Sequence, residues 1–336
     1  MRRYQGQALS PNPRIAVIAN DALGNFVAAT PLLQMLRHKF PAAHLSYFGG
    51  TRTRELQDAS DLFDEGHILH GADFREVCVR ALESAPHDLV INLEQQPVAR
   101  AFAAVLSGLE TYVVGPCFNS DSRGDLPYAN DEMGRLAMDK NWLNEDTPSR
   151  FPFLKTGFIS EIFCRLAYLE GPIPRYRVPS SDPGREIPDV LVATAASLPE
   201  KLWPIDKWIE VASTLVHSGK AIGLLGAPPR EQGKHWKGAE DEERLLDVGV
   251  EDLRGRLTLP QVVGALQGAQ AVLTIDNGIL HLSAAAGTPT VGLFRHGIHR
   301  LWAPPFANLT VLIPGEDELV AEIKVETVLE AILNVL

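Results

Sequence analysis

From Leu273 to Phe294 the chain runs through an apolar stretch, the polar turn Asp276-Asn277-Gly278, a small-residue segment ending at Gly287, and a second apolar stretch. The pattern specifies strand, turn, helix, glycine stop and strand. Asp276 or Asn277 is placed to cap the helix through a side-chain oxygen, and Gly278 lets the backbone come close to whatever sits there. The unpaired amides of such a first turn point out of the carboxyl edge of a sheet, where donors and helix dipole together favour an anion such as a diphosphate. A capped turn of this kind also occurs in α/β proteins that bind nothing there. His281, one turn into the helix, is equally at home as a packed, hydrogen-bonded side chain.

The rest of the chain extends the same rhythm. Arg14–Ala19 is a buried-strand run, followed by Asn20, Asp21, Gly24 and Asn25 and then a helical pattern through Phe26, Val27, Leu32, Leu33 and Leu36, with a kink expected at Pro31. Strand signals at His44–Phe48, Asp88–Leu93 and Thr111–Val114 alternate with helical ones near Thr51–Asp58, Phe74–Ser84 and Val98–Leu106. The density of Pro172, Pro174, Pro179, Pro183 and Pro188 suits an extended connection. A second alternation follows, with strands at Val190–Thr194, Ala221–Leu225, Ala271–Ile275, Thr290–Phe294 and Leu309–Ile313, and helices at Ile205–Val216, Pro260–Leu266, Ile279–Ala286 and from about Leu319. The expected organisation is a first Rossmann-like domain over 1–175, a linker over 176–188, a second Rossmann-like domain over 189–318 and a C-terminal helix over 319–336. Two parallel α/β halves leave a ligand cleft between their carboxyl edges.

A length of 336 residues exceeds the usual ~100–150 of one domain, in agreement with two. The net charge of -11 argues against a nucleic-acid partner, which is held by clustered Lys and Arg. No apolar stretch approaches the ~20 residues of a membrane span and the start lacks the apolar core of a signal peptide, so a cytoplasmic protein with at most peripheral membrane contact is expected. Cys78, Cys117 and Cys164 are far apart and read as reduced core thiols. His296 and His299 lie near Arg295 and Arg300, but no metal-ligand spacing appears, so neither metal nor cofactor is expected. The acidic patch Glu240-Asp-Glu-Glu243 reads as a solvated helix face.

Three segments fall into one pattern: Ala22–Leu33 with its Gly24-Asn25 turn, Ser197–Pro204 around Lys201 and Trp203, and Asp276–Leu282. Together with Asp88–Leu93, and with Asp252-Leu-Arg-Gly255 ahead of Leu259-Pro-Gln, they resemble the ADP-heptose:lipopolysaccharide heptosyltransferases, glycosyltransferase family 9, over most of the chain. The resemblance implies a GT-B architecture, with acceptor bound mainly by the first domain and nucleotide sugar mainly by the second. It also implies inverting transfer in a single displacement without a metal. Such a reaction needs a base for the acceptor hydroxyl and charge stabilisation for the departing diphosphate. Lys201 and the amides of Asn277, Gly278, Ile279 and Leu280 match the second task, with His281 and Asp276 supporting the turn and Asp276 touching the sugar or capping the helix. Lys201 also fits a plain surface lysine, and Arg295 fits either a phosphate contact or a carboxylate pair.

The sequence departs from the family where the base belongs. The family's Gly-Asp is Gly24-Asn25 here, and a neutral amide does not accept a proton. Asp21 is the nearest carboxylate in the same loop, as substitute base or as a capping residue. Ala227-Pro228-Pro229-Arg230 also stands where the family's ribose-contacting acid is expected, with Glu231 coming late. The sequence therefore supports a glycosyltransferase moving a sugar, heptose among the candidates, from an ADP-like nucleotide diphosphate to a hydroxyl of a lipopolysaccharide core or a small secondary metabolite. Loss of the base supports a rival, a sugar-nucleotide-binding protein of the same fold with impaired catalysis. A dinucleotide oxidoreductase is disfavoured because no G-x-G-x-x-G follows either first strand.

Overall fold

In a computed structural model of the protein, which describes residues 1–121, 123–231, 237–238 and 241–336, the apolar runs become strands buried on both faces. The chain divides into two units, Met1–Arg177 and Val178–Leu336. The first contains β1 (Arg2–Arg3), β2 (Arg14–Ile18), β3 (His44–Gly50), β4 (Glu65–His70), β5 (Leu89–Asn92) and β6 (Tyr112–Val114), all parallel, in the order β1-β6-β5-β2-β3-β4. The second contains β7 (Val190–Ala193), β8 (Ile222–Leu224), β9 (Glu251–Asp252), β10 (Ala271–Ile275), β11 (Thr290–Leu293) and β12 (Leu309–Leu312), also parallel, in the order β12-β11-β10-β7-β8-β9.

After the short edge strand β1, the first sheet is built out from its middle at β2, as the second is from β7. The chain winds outward from β2 through β3 to β4, then returns to lay β5 on the other side of β2; β7, β8, β9 and β10 repeat the manoeuvre. Because parallel crossovers are right-handed, reversing direction sends successive helices to opposite faces. A crevice opens beyond the carboxyl ends of the two strands where the order reverses, β2/β5 in one unit and β7/β10 in the other.

Burial explains why the central strands are Val-, Ile- and Leu-rich rather than alternating: every residue of β5, β7, β10 and β11 is buried. The second core gathers Val192, Trp203, Trp208, Leu273 and Leu293 with Val320, Ile323, Val328 and Ile332, so the C-terminal helix Val325–Leu333 packs into that unit. Trp203 donates to the Ile323 carbonyl at 2.9 Å and meets Trp208 edge-on at 5.3 Å. The proline-rich run carries neither helix nor strand over 172–188, and the unit boundary falls inside it. Its Ser181 amide donates to Pro260 O at 2.9 Å, close enough to the helix Leu259–Gly268 that a Cβ on Gly264 would lie 2.0 Å from Ser181 O. None of the described helices is long and apolar enough to cross a membrane.

The helix Leu23–Lys39 carries Pro31 in its interior. The structure adds to and corrects the sequence expectation elsewhere. The helix Ile159–Leu166 is added, packed against Leu23–Lys39 with Ser160 donating to Ala28 O; nearly all of it is buried, its polar Glu161 and Arg165 included. The acidic patch is a solvated face only in part: Asp241 and Glu243 are exposed, Glu242 is not, and Glu240 lies outside the described residues. Glu242 is fully buried, 3.2 Å from an Arg254 guanidinium that also binds Glu243 and Asp252, each at 2.8 Å, and it accepts from Thr194 Oγ1. The Arg254 hydrogen bond lowers the Asp252 carboxyl below its usual range.

Candidate functional site

At the carboxyl edge of the second sheet, β10 ends at Ile275 and the helix Gly278–Ala286 begins three residues later. Asn277, rather than Asp276, is the cap. Its Oδ1 accepts from the amides of Ile279 at 3.0 Å and Leu280 at 3.2 Å and from Thr274 Oγ1, while its Nδ2 donates to Ala195 O in the segment following β7. One side chain thus fixes the helix start and ties the two strands of the reversal point together. Two of the amides expected to meet a diphosphate are turned onto this cap. Gly287, with φ +83°, ends the helix in the left-handed conformation that glycine adopts without a Cβ penalty.

Asp276 is thereby left for Lys201. The ammonium closes a short turn, Pro199–Lys201, and lies 2.8 Å from Asp276 Oδ2 while donating to the Asp276 carbonyl at 3.1 Å. This is a mostly buried ion pair, not a surface lysine. The preceding residue, Glu200, lies 3.4 Å from the Arg295 guanidinium, which leaves the end of β11 on the same edge. Arg295 therefore has a carboxylate partner, and two cations share one stretch of sheet edge. His281 is buried beneath the turn with its ring edge-on to Trp302 at 6.3 Å. Burial pushes its pKa down to about 4, with Lys201 lowering it further and Asp276 opposing, so it is a neutral packing and hydrogen-bonding group.

The reversal point of the first sheet is built from amides and carboxylates. Asn20, just past β2, accepts from the Ala22 amide at 2.8 Å. The helix that carries Gly24 and Asn25 in its first turn has Ala22 at its N-cap and no side-chain cap, so Asp21 does not cap it. Asp21 reaches instead to the loop after β3, accepting from Arg52 N at 2.8 Å and Arg52 Nε at 2.7 Å. A Cβ on Gly50 would lie 2.0 Å from Asp21 Oδ1, so the brace needs glycine there.

Sequence inspection did not single out Glu94. It follows β5 directly, and Leu93 N donates to Ile18 O at 2.9 Å, which brings Glu94 alongside Asn20. Buried Asn92 grips it from both sides, accepting from Glu94 N at 2.9 Å and donating to Glu94 O at 3.0 Å. The carboxylate accepts from the side-chain and backbone N–H of Asn20, yet burial outweighs these donors and pushes its pKa up to about 7. The available signal was topological: its strand is the one laid beside β2 on the return. Among the described residues, no group of three or more His, Cys, Asp or Glu is placed to hold a metal.

Residues 176–332 match the model of glycosyltransferase family 9 (heptosyltransferase). The chain is 31% identical over 122 residues to lipooligosaccharide heptosyltransferase 2 of Haemophilus influenzae, covering 35% of this chain and 34% of that one. It is 29% identical over 100 residues to lipopolysaccharide heptosyltransferase 1 of Salmonella typhimurium, covering 30% of each. It thus spans about a third of the length of these curated relatives. Among solved structures, a glycosyl transferase of family 9 from Veillonella parvula superposes with a TM-score of 0.74 at 17% identity over 98% of this chain and 99% of that one. The E. coli ADP-heptose lps heptosyltransferase II gives 0.67 at 19% identity over 96% and 97%. The shared fold is GT-B, two Rossmann-like units.

Proposed function

We propose that the protein moves a sugar from a nucleotide diphosphate to a hydroxyl acceptor, with ADP-heptose as donor, a reading supported by the match of residues 176–332 to the glycosyltransferase family 9 model. The observation that carries this is the second unit's reversal point, where Lys201 and Arg295 are held beside the capped start of Gly278–Ala286. Cations fixed by carboxylates before the substrate arrives stabilise charge on a departing diphosphate without reorganising during the reaction. The helix dipole adds to them. With Ile279 and Leu280 N–H turned onto Asn277, the ammonium and guanidinium carry most of that task. Asp276 orients Lys201, and neutral His281 supports the turn from below without adding a competing charge.

The acceptor is a lipopolysaccharide core sugar or a small hydroxyl compound, bound by the first unit. Calorimetry with ADP and an assay of ADP release from ADP-heptose test the assignment. Expected are saturable ADP binding, weakened by Gly278→Val without unfolding, and ADP release above background. Binding without release from ADP-heptose or any other ADP-sugar supports the rival, a binding protein.

A further inference from the structure

We infer that Glu94 is the general base of this protein, the group that takes the proton from the acceptor hydroxyl where Asn25 has no carboxylate to do so. The inference rests on the glycosyltransferase assignment above and concerns the half of the reaction that assignment leaves without a base.

Three carboxylate-sized side chains compete for the role at the carboxyl edge of the first sheet. Asn25 is an amide and takes no proton. Asp21 is held at both oxygens by Arg52, through a backbone N–H and a guanidinium N–H, so both of its oxygens are already engaged in bracing the loop after β3. Glu94 has no cation paired with it among the described residues. It stands in the strand-reversal crevice, the usual ligand position in an open α/β sheet, and its main chain is clamped by Asn92. Asn92 is itself fixed, donating to Pro116 O at 2.6 Å and packed so closely on Gly115 that a Cβ there would lie 1.9 Å from Asn92 O. Asn20 orients the carboxylate from the neighbouring strand end. Asn20 and Asn92 are positioning residues, and Glu94 is the proton acceptor.

The groups around it leave the role intact. Tyr47 on β3 feels both Glu94 and Asp21, and burial raises its phenol, which stays protonated. His70, near Asp21 and Arg52, is lowered by burial. A carboxyl titrating near 7 has the driving force for proton transfer that an ordinary one at 4.5 lacks. In the step itself, the acceptor oxygen bonds to the anomeric carbon as the bond from that carbon to the diphosphate oxygen breaks. The electron pair leaves with the diphosphate, and the hydroxyl proton passes to Glu94.

The test compares wild type and Glu94→Gln by ADP release from ADP-heptose, with water or an added hydroxyl compound as acceptor, across pH 5 to 9, alongside ADP calorimetry. Glu94→Gln is expected to lower kcat by about 100-fold or more, to leave ADP affinity within about twofold, and to lose the acidic limb that wild type shows near pH 7. A Glu94→Gln protein with kcat within about tenfold of wild type, or with the limb unchanged, overturns the assignment of Glu94 alone. A wild type that binds ADP and releases none from ADP-heptose overturns the transfer reading, and the base with it. If Glu94→Gln melts early, Glu94→Asp carries the test: a shifted limb with reduced kcat supports the base, and full kcat with no limb overturns it.

Discussion

The two strand-reversal points of this molecule solve the same topological problem with opposite chemistry. The second is built from ion pairs: Lys201 with Asp276, Arg295 with Glu200, and, joined to the end of β7 through Thr194, the buried Arg254 among Glu242, Glu243 and Asp252. At the first, side-chain amides do the positioning. Asn20 and Asn92 hold Glu94, which has no cation beside it among the described residues, and the ion pair Asp21–Arg52 is set to one side as a brace. Paired carboxylates fix positive charge in place. A carboxylate held only by amides in a buried setting keeps its affinity for a proton. A fold that repeats its topology can therefore present a charge-stabilising edge in one unit and a proton-accepting edge in the other.

The sharpest way to break this contrast is to remove the buried cation of the second unit. Arg254→Ala removes the guanidinium that faces buried Glu242 together with Glu243 and Asp252 and is expected to cost about 3–5 kcal/mol in denaturant unfolding of that unit. A loss below about 1 kcal/mol would mean that the network does not hold the edge. Lys201→Ala comes next. It is expected to raise the barrier to transfer by about 2–4 kcal/mol, seen in kcat more than in ADP affinity, and near-normal turnover would remove Lys201 from the reaction. Removing the Asn277 cap with Asn277→Ala is expected to cost about 1 kcal/mol in thermal unfolding, with the Ile279 and Leu280 amides gaining hydrogen-exchange rate first.

The most direct comparison comes from pH, because the two edges tilt with it in opposite directions. The folded pKa of His281, about 4, lies below the ordinary 6.5. As pH falls from 6.5 to 4 the unfolded chain takes up a proton that the folded chain refuses, so the stability His281 contributes is present above 6.5 and lost on the way down. The Glu94 carboxyl, at about 7, lies above the ordinary 4.5. Its contribution is full below 4.5 and lost as pH rises to 7, since the unfolded chain releases its proton first. Glu94→Gln should flatten one slope and His281→Gln the other, as followed by denaturant midpoints across pH. Slopes of the same sign would contradict the contrast.

The strands nearest the centre of each sheet were legible because burial on both faces demands continuous apolar runs such as Leu89-Val-Ile and Ala271-Val-Leu-Thr-Ile. The turn after β10 was legible too, since cap, helix and glycine stop are adjacent in sequence. Features that depend on distant partners were not. Glu242 reads as one more surface acid until Arg254 and Thr194 close around it. Glu94 reads as a loop residue until β5 is laid beside β2 and Asn20 reaches it. β4 begins Glu65-Gly-His with exposed residues, as befits an edge strand, and its apolar signal is correspondingly weak.

The brace at Gly50 carries its own consequence for the sequences this fold tolerates. The residue has φ -138° and ψ 174°, an extended backbone open to any amino acid, so space alone forbids a side chain. A Cβ there would lie 2.5 Å from Asp21 Cβ as well as 2.0 Å from Oδ1, and rotating the aspartate away does not relieve the first contact. In a library randomised at position 50 and selected for folded, active protein, glycine should be the sole survivor. In a library randomised at 21 and 50 together, alanine at 50 should reappear only with glycine at 21.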